Sequence, residues 1–262
     1  MLYSVATFTF DSDWQRDLFY QQLADIGFEA FDGDQAYIPS ELADEEQLNT
    51  LVKQSLGVAL ASFVQCQDGD WNEVWDAEHP LYEWTLHSLQ QPATYIRLTI
   101  APHCAFGAGT HQTTAMLIEA LQTIDCRQLS VLDNGCGTGV LGIAAALLGA
   151  TQVTAVDIDN KSVDNTKENA LLNKVNITAI RSSTPPKGQY NLILSNIHRN
   201  ILIEQMPLYA DRLTSGGEVW MSGFYTTDIE PIMQAAQKAG LQPASSDYVH
   251  QKQEWVMIQC KK

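Results

Sequence analysis

At 262 residues and 45% hydrophobic side chains, the chain can bury one large α/β domain or a medium domain with a smaller companion, and no apolar run approaches the ~20 residues of a membrane helix. Five scattered cysteines, odd in number and without a CxxC pair, argue against a disulfide framework or a zinc site and for reduced thiols in a cytoplasm. The formal charge of −16 is lopsided, because residues 1–92 hold 17 acidic side chains against Arg16 and Lys53; such a surface either solubilises or attracts a basic macromolecule, and it repels phosphate.

The opening stretch, MLYSVATFTF, has no basic n-region and alternates as a strand, which predicts a cytoplasmic N-terminus rather than a signal peptide. Asp11 or Ser12 can cap a following helix with Trp14, Leu18, Phe19, Leu23 and Ile26 on its apolar face and Gly27 at its end. Two short strands around Asp32-Gly33, a helix over ADEEQLNTLVKQS with acids in its first turn, and a closing strand over GVALASFVQCQ complete the order β-α-β-β-α-β. That order predicts a small ferredoxin-like α+β domain over residues 1–69, with nothing catalytic in it. Residues 70–92, which include three tryptophans in DWNEVWDAEHPLYEW, read as a linker.

From TYIRLTI onward, short apolar strands alternate with helices of 10 to 15 residues: SVLD, QVTAVDI, NITAI, YNLILSNI and EVWMSG are the strands, with helices near 111–124, 139–148, 161–173, 200–213 and 227–239 between them. This rhythm predicts a doubly wound, mostly parallel α/β sheet over residues 93–262. Two successive strands at the end, DYVH and EWVMIQC, predict an antiparallel hairpin at the sheet edge.

The stretch VLDNGCGTGVLGIAA carries the chemistry. Gly137, Gly139 and Gly142 satisfy GxGxxG, which alone would suit a nicotinamide dinucleotide as well as a sulfonium nucleoside. The distinguishing residue is Asp133 at the mouth of the strand: a carboxylate there holds the ammonium of an amino-acid tail but repels a pyrophosphate. Gly135 and Gly137 let the backbone lie close against the ligand. The cofactor should therefore carry an amine and no diphosphate, which describes S-adenosylmethionine. Asp157, ending the next strand, is placed to accept from both ribose hydroxyls, and Ile158 beside it to wall the adenine. Asp159 or Asn160 suits the role of helix N-cap. In SNIHRN, Asn196 and Ile197 should face the reactive end of the cofactor, because ligands of open α/β sheets sit outside the carboxyl ends of the strands.

The motifs AFGAGTHQTT, LDNGCGTG, VDID, SNIHRNIL and MSGFY, in that order after DWNEVW, closely resemble those of the ribosomal protein L-eleven methyltransferases, the PrmA type. The resemblance implies a seven-stranded class I methyltransferase sheet, S-adenosylmethionine as methyl donor, and lysine side chains and the N-terminal amine of ribosomal protein L-eleven as acceptors. It puts cofactor contacts on Thr114, Gly135, Asp157 and Asn196, has Phe106 cover the bound cofactor, and gives substrate recognition to the N-terminal domain. Ala108 and Thr110 stand where the family usually has Thr and often His.

A sulfonium methyl is already electrophilic, so the main task is to align a neutral amine, with Asn196 as the positioning side chain and no dedicated base required. His111 reads as a loop-ordering or capping residue more readily than as a base. Three alternatives remain: methylation of a glutamine amide or nucleobase, whose enzymes usually show NPPY where this chain has SNIH; a module that binds the cofactor without turnover; and hydride transfer. No metal, membrane or nucleic-acid partner is expected, and nothing points to more than a monomer.

Overall fold

The computed structural model describes residues 3–28, 30–32, 34–66, 81–89, 91–102 and 111–262, and the chain divides into two compact units, Met1–Ala77 and Glu78–Lys262. The first has the order β1 (Tyr3–Phe10), α1 (Asp13–Asp25), β2 (Ala30–Asp32), β3 (Gln35–Pro39), α2 (Glu45–Gln54) and β4 (Val58–Cys66). Its four strands form one antiparallel sheet in the order β2-β3-β1-β4, the arrangement expected of a βαββαβ unit. Phe8, Phe19, Leu23, Ile38 and Leu48 are its buried core, each contributing about 2 kcal/mol of transfer free energy. Leu18, expected on the apolar face of α1, is instead exposed. The face is centred on Phe19 and Leu23, and the buried ring of Tyr20, not Leu18, completes it. Asp44 caps α2 by accepting from the amides of Glu46 and Gln47.

The second unit begins with a hairpin, β5 (Tyr82–Ser88) and β6 (Gln91–Ile100), so a strand lies inside the stretch read from sequence as linker. Its alternating YEWTLHS places Leu86 in the core while its neighbours are exposed. Residues 67–80, including Trp71 and Trp75, lie outside the described residues.

After the hairpin come α3 (Gln112–Leu121), β7 (Ser130–Asn134), α4 (Val140–Leu147), β8 (Gln152–Asp157), α5 (Asn160–Leu172), β9 (Thr178–Arg181), β10 (Tyr190–Asn196), α6 (Arg199–Arg212) and β11 (Leu213–Tyr225). A short 3-10 turn (Thr226–Asp228), α7 (Ile229–Lys238), β12 (Gln242–Pro243), β13 (Val249–Lys252) and β14 (Trp255–Lys261) close the chain. The eight-stranded sheet runs β12-β14-β11-β10-β7-β8-β9, with β13 also paired to β14. The five strands from β9 to β11 are parallel, and β14 is antiparallel to β11. β13 and β14 form the expected antiparallel hairpin at the sheet edge: β14 lies beside β11, and β12 and β13 pair with its far side.

One face of the sheet is covered by α3, α4, Ala170 of α5 and the β5–β6 hairpin, which close over Val131, Leu192, Leu194 and Trp220. The other face is covered by α6 and α7 over Leu132, Ile193, Val219 and Met221. The alternation of sides along β7 and β10 therefore sends successive side chains into two different cores. On the hairpin side, Asn173 exchanges hydrogen bonds with both the N–H and the carbonyl of Thr99 (2.9 and 2.6 Å), and Asn169 does the same with Ala101 (2.8 and 3.0 Å). Asparagines one helical turn apart thus serve the free edge of β6 as a strand would.

Candidate active site

The site is built where β7, β8 and β10 end. β7 runs into Asp133 and Asn134, and the chain turns through Gly135 to Gly139 before α4 starts at Val140. Gly135 sits at φ +75°, and a Cβ there would lie 2.2 Å from Ile197 Cγ2, so a larger residue would strain the backbone and displace Ile197. The turn is tied down on all sides. The amides of Gly135 and Cys136 donate to the Val156 carbonyl at 2.8 and 2.9 Å, and that of Gly137 donates to Asp157 Oδ2 at 3.0 Å. Thr166 Oγ1 donates to the Gly137 carbonyl and Asn169 Nδ2 to the Thr138 carbonyl, both at 3.0 Å.

Two carboxylates flank this turn. Asp133 is buried; its Oδ2 accepts from the Gly142 amide at 2.8 Å, while its equally buried Oδ1 has no partner among the described residues. Burial pushes the Asp133 carboxyl up to about 7; the Gly142 amide pulls it down and the charge of Asp157 pushes it up again. Asp157 is likewise raised by burial, against the amides of Asp159 and Gly137 that bond its two oxygens at 3.0 Å. Asp159, not Asp157, caps α5 by accepting from the Ser162 amide.

On the other side of the turn lies the end of β10. Asn196 Nδ2 donates to Thr114 Oγ1 at 3.1 Å, joining β10 to the first turn of α3. Ile197 packs on Gly135, and Gly223 of the MSGFY stretch approaches it from β11, where a Cβ would lie 2.6 Å from the Ile197 carbonyl oxygen. His198 caps α6, and Arg199 pairs at 2.5 Å with the buried Asp228, whose other oxygen accepts from the Tyr225 amide at 3.1 Å. His111 caps α3 through the Thr113 amide, and its ring meets Trp255 edge-on at 4.7 Å; Trp255 in turn stacks on Tyr225 at 4.1 Å. His111 thus has the capping geometry anticipated for it.

Of the residues read from sequence, Asn196 and Thr114 bond each other, Gly137 and Asp157 bond each other, and Gly135 touches the residue after Asn196. Ile158 is 63% exposed beside Asp157, and Phe106, with Ala108 and Thr110, lies outside the described residues. Thr166 and Asn169, which hold the turn from α5, were missed by reading motifs alone. The i, i+4, i+8 spacing of Asn165, Asn169 and Asn173 is the signal that could have found the second of them. Also missed was a buried polar group behind the site, formed by Asn134, Ser195, Gln205 and Tyr209.

The fit to a sulfonium nucleoside is good. Asp133 Oδ1 is a buried acceptor that a ligand ammonium would satisfy directly or through water, and two carboxylates beside the turn disfavour a pyrophosphate. A β9-β8-β7-β10-β11 parallel sheet with an antiparallel β14 beside it, and this acid-flanked glycine turn after its first parallel strand, define a class I S-adenosylmethionine-dependent methyltransferase. The family model for ribosomal protein L11 methyltransferases (PrmA) matches residues 28–262, and the chain belongs to that family. It is 38% identical over 246 residues to the ribosomal protein L11 methyltransferase of Porphyromonas gingivalis, covering 86% of this chain and 84% of the relative. It is 36% identical to that of Phocaeicola vulgatus, with 98% of each chain covered. Among solved structures, a ribosomal protein L11 methylase from Lactobacillus delbrueckii subsp. bulgaricus matches with a TM-score of 0.53 and 31% identity, over 58% of this chain and 79% of that one. A T. thermophilus 16S rRNA methyltransferase in complex with AdoMet and guanosine shares the fold at a TM-score of 0.53 and 16% identity, over 94% of this chain and 61% of that one.

Proposed function

We infer that this chain transfers methyl groups from S-adenosylmethionine to ribosomal protein L11, and that the acceptors are lysine side-chain amines and the N-terminal amine. Family membership over residues 28–262 supports the reaction and the protein substrate. The observation that carries the cofactor assignment is the buried Oδ1 of Asp133 beside the glycine turn, which has no partner among the described residues.

When bound, S-adenosylmethionine supplies a methyl group already activated on a positively charged sulfur. Asp133 and Asp157 are the residues that would hold its amino-acid and ribose parts, with Gly135 and Gly137 giving close backbone approach and Ile158 flanking it. Asn196 has its amide nitrogen committed to Thr114 Oγ1, which fixes the amide plane and leaves Oδ1 to accept an N–H of the incoming amine. That bond aims the nitrogen lone pair, and alignment of this kind is the larger part of the rate enhancement the reaction needs. A lysine amine has a pKa of about 10.4 in water, and desolvation beside Asn196 and Ile197 lowers it toward the reactive neutral form. The proton can leave to water, so the mechanism assigns no side chain as base.

Residues 1–69 serve as the substrate-recognition domain in this reading. Their acidity suits a basic ribosomal protein, since opposite-sign fields raise encounter rates. The protein acts as a monomer in the cytoplasm and makes no direct contact with nucleic acid. Incubation with labelled S-adenosylmethionine and purified L11, followed by mass-spectrometric mapping, tests the reading. Label on lysines and the N-terminus supports it, and label confined to glutamine amides, or none on L11, overturns it.

A further inference from the structure

Behind the site, on the face away from Asp133 and Asn196, a closed set of buried polar side chains joins the two strand ends that carry those residues. Ser195 and Asn134 are register partners on the adjacent parallel strands β10 and β7. Asn134 immediately precedes Gly135, and Ser195 immediately precedes Asn196. Asp133 bonds α4 and Asn196 bonds α3, so their neighbours in sequence face α6. There Asn134 Nδ2 donates to Tyr209 Oη and Gln205 Oε1, both at 3.0 Å, and lies 3.3 Å from Ser195 Oγ. Tyr209 Oη and Ser195 Oγ are 3.0 Å apart, and Tyr209 Oη also lies 3.2 Å from Gln205 Oε1. Gln205 Nε2 closes the set by donating to the Ser183 carbonyl at 3.0 Å.

All four residues are buried, and the cluster around them is otherwise apolar, with Leu132, Ile193, Leu202 and Met206 as neighbours in the same core. Apolar side chains would fill this space with less desolvation penalty. What the polar set adds is direction: hydrogen bonds fix the lateral register of two strand ends in a way that apolar packing does not. The front of the site repeats the link through Ile197 against Gly135.

We propose that Tyr209, with Gln205, Asn134 and Ser195, is a positioning group that sets the separation between the glycine turn on the donor side and Asn196 on the acceptor side. None of the four touches the reactants, and the group acts through the residues that follow Asn134 and Ser195. This rests on the methyltransferase reading above. A displacement of about 1 Å between donor and acceptor can lower a rate ~100-fold while leaving each partner's binding nearly intact. Loss of the Tyr209 hydroxyl should therefore act on kcat.

The test is Tyr209→Phe, assayed for methyl transfer to L11 well below its melting temperature, with S-adenosylhomocysteine affinity measured alongside. The expected result is a kcat roughly tenfold or more below wild type, with KM for S-adenosylmethionine and the affinity for S-adenosylhomocysteine changed less than ~3-fold. Ser195→Ala should give the same split, and the double variant should fall little below either single one, because one group has been broken once. Ser195→Thr, which keeps the hydroxyl, should recover most of the rate. If Tyr209→Phe does not fold, Ser195→Ala against Ser195→Thr decides the matter. A folded variant with wild-type kcat, or one whose rate loss is matched by lost cofactor affinity, overturns the proposal. Wild-type protein that does not methylate L11 would instead overturn the function on which it rests.

Discussion

Asp133→Asn should stabilise the ligand-free protein at neutral pH while impairing its chemistry. Burial lifts the Asp133 carboxyl from 3.8 to about 7. Below the lower value the folded and unfolded chains both hold the proton, and no penalty exists. Between the two values the unfolded chain releases it while the folded chain keeps it, so stability falls as pH rises. Above about 7 the penalty is complete, and a carboxyl lifted that far costs the folded state about 4 kcal/mol. An asparagine is neutral throughout and can still accept from the Gly142 amide through its Oδ1, so the hydrogen bond survives while the pH-dependent penalty goes. Asp157 is present in both proteins, but its charge and that of Asp133 oppose one another, so Asp133→Asn also relieves Asp157 and the difference reads the coupled pair. Urea unfolding of wild type and Asp133→Asn, measured without ligand across about pH 4 to 8, reads the effect. The stability difference between the two proteins should grow with pH and level off near 7, while Asp133→Asn binds S-adenosylhomocysteine more weakly than wild type at every pH above that. An offset independent of pH would refute the assignment of a buried carboxylate held against its desolvation cost.

Gly135→Ala introduces a Cβ at φ +75° and 2.2 Å from Ile197 Cγ2, so it should cost about 1–3 kcal/mol in unfolding and weaken S-adenosylhomocysteine binding, as calorimetry can check. Asn196→Ala should lower kcat for L11 methylation roughly 100-fold with a smaller effect on S-adenosylhomocysteine affinity; equal losses in both would assign it to cofactor binding alone. Raising salt from about 0.05 to 0.5 M should raise KM for L11 severalfold and leave KM for S-adenosylmethionine unchanged, since the Debye length shrinks and the acidic residues 1–92 no longer steer; a salt-independent KM for L11 removes that role from the charge.

Much of this site is legible in the sequence, because its residues are read by local rules. The glycine turn, Asp133 and Asp157 sit at fixed offsets from strand ends, and Asn196 follows an apolar run that could only be a buried parallel strand. The order of elements, and with it the two-layer covering of the sheet, follows from the change between the two hydrophobic periodicities. What escapes depends on contacts between distant segments. Nothing local says that Asn134 and Ser195 meet on adjacent strands, or that Tyr209 and Gln205 reach them from a helix. Asn169 is marked locally only by its spacing from Asn165 and Asn173, which does not say that its four bonds reach Ala101, Thr138 and Asn165. Leu18 is misplaced by periodicity because a helix with several large apolar residues admits more than one apolar stripe, and only packing against the sheet selects Phe19, Tyr20 and Leu23. The strand β5 is hidden by a proline and tryptophans that look like connecting chain, although its own seven residues alternate.

A crystal structure of the protein with S-adenosylhomocysteine is the most direct test of how the site grips its ligand. The ligand ammonium should lie at Asp133 Oδ1, directly or through one water, with the ribose hydroxyls at Asp157 and the sulfur facing Asn196. A ligand whose amino group lies away from Asp133, or a diphosphate seated over the glycine turn in its place, would contradict the assignment.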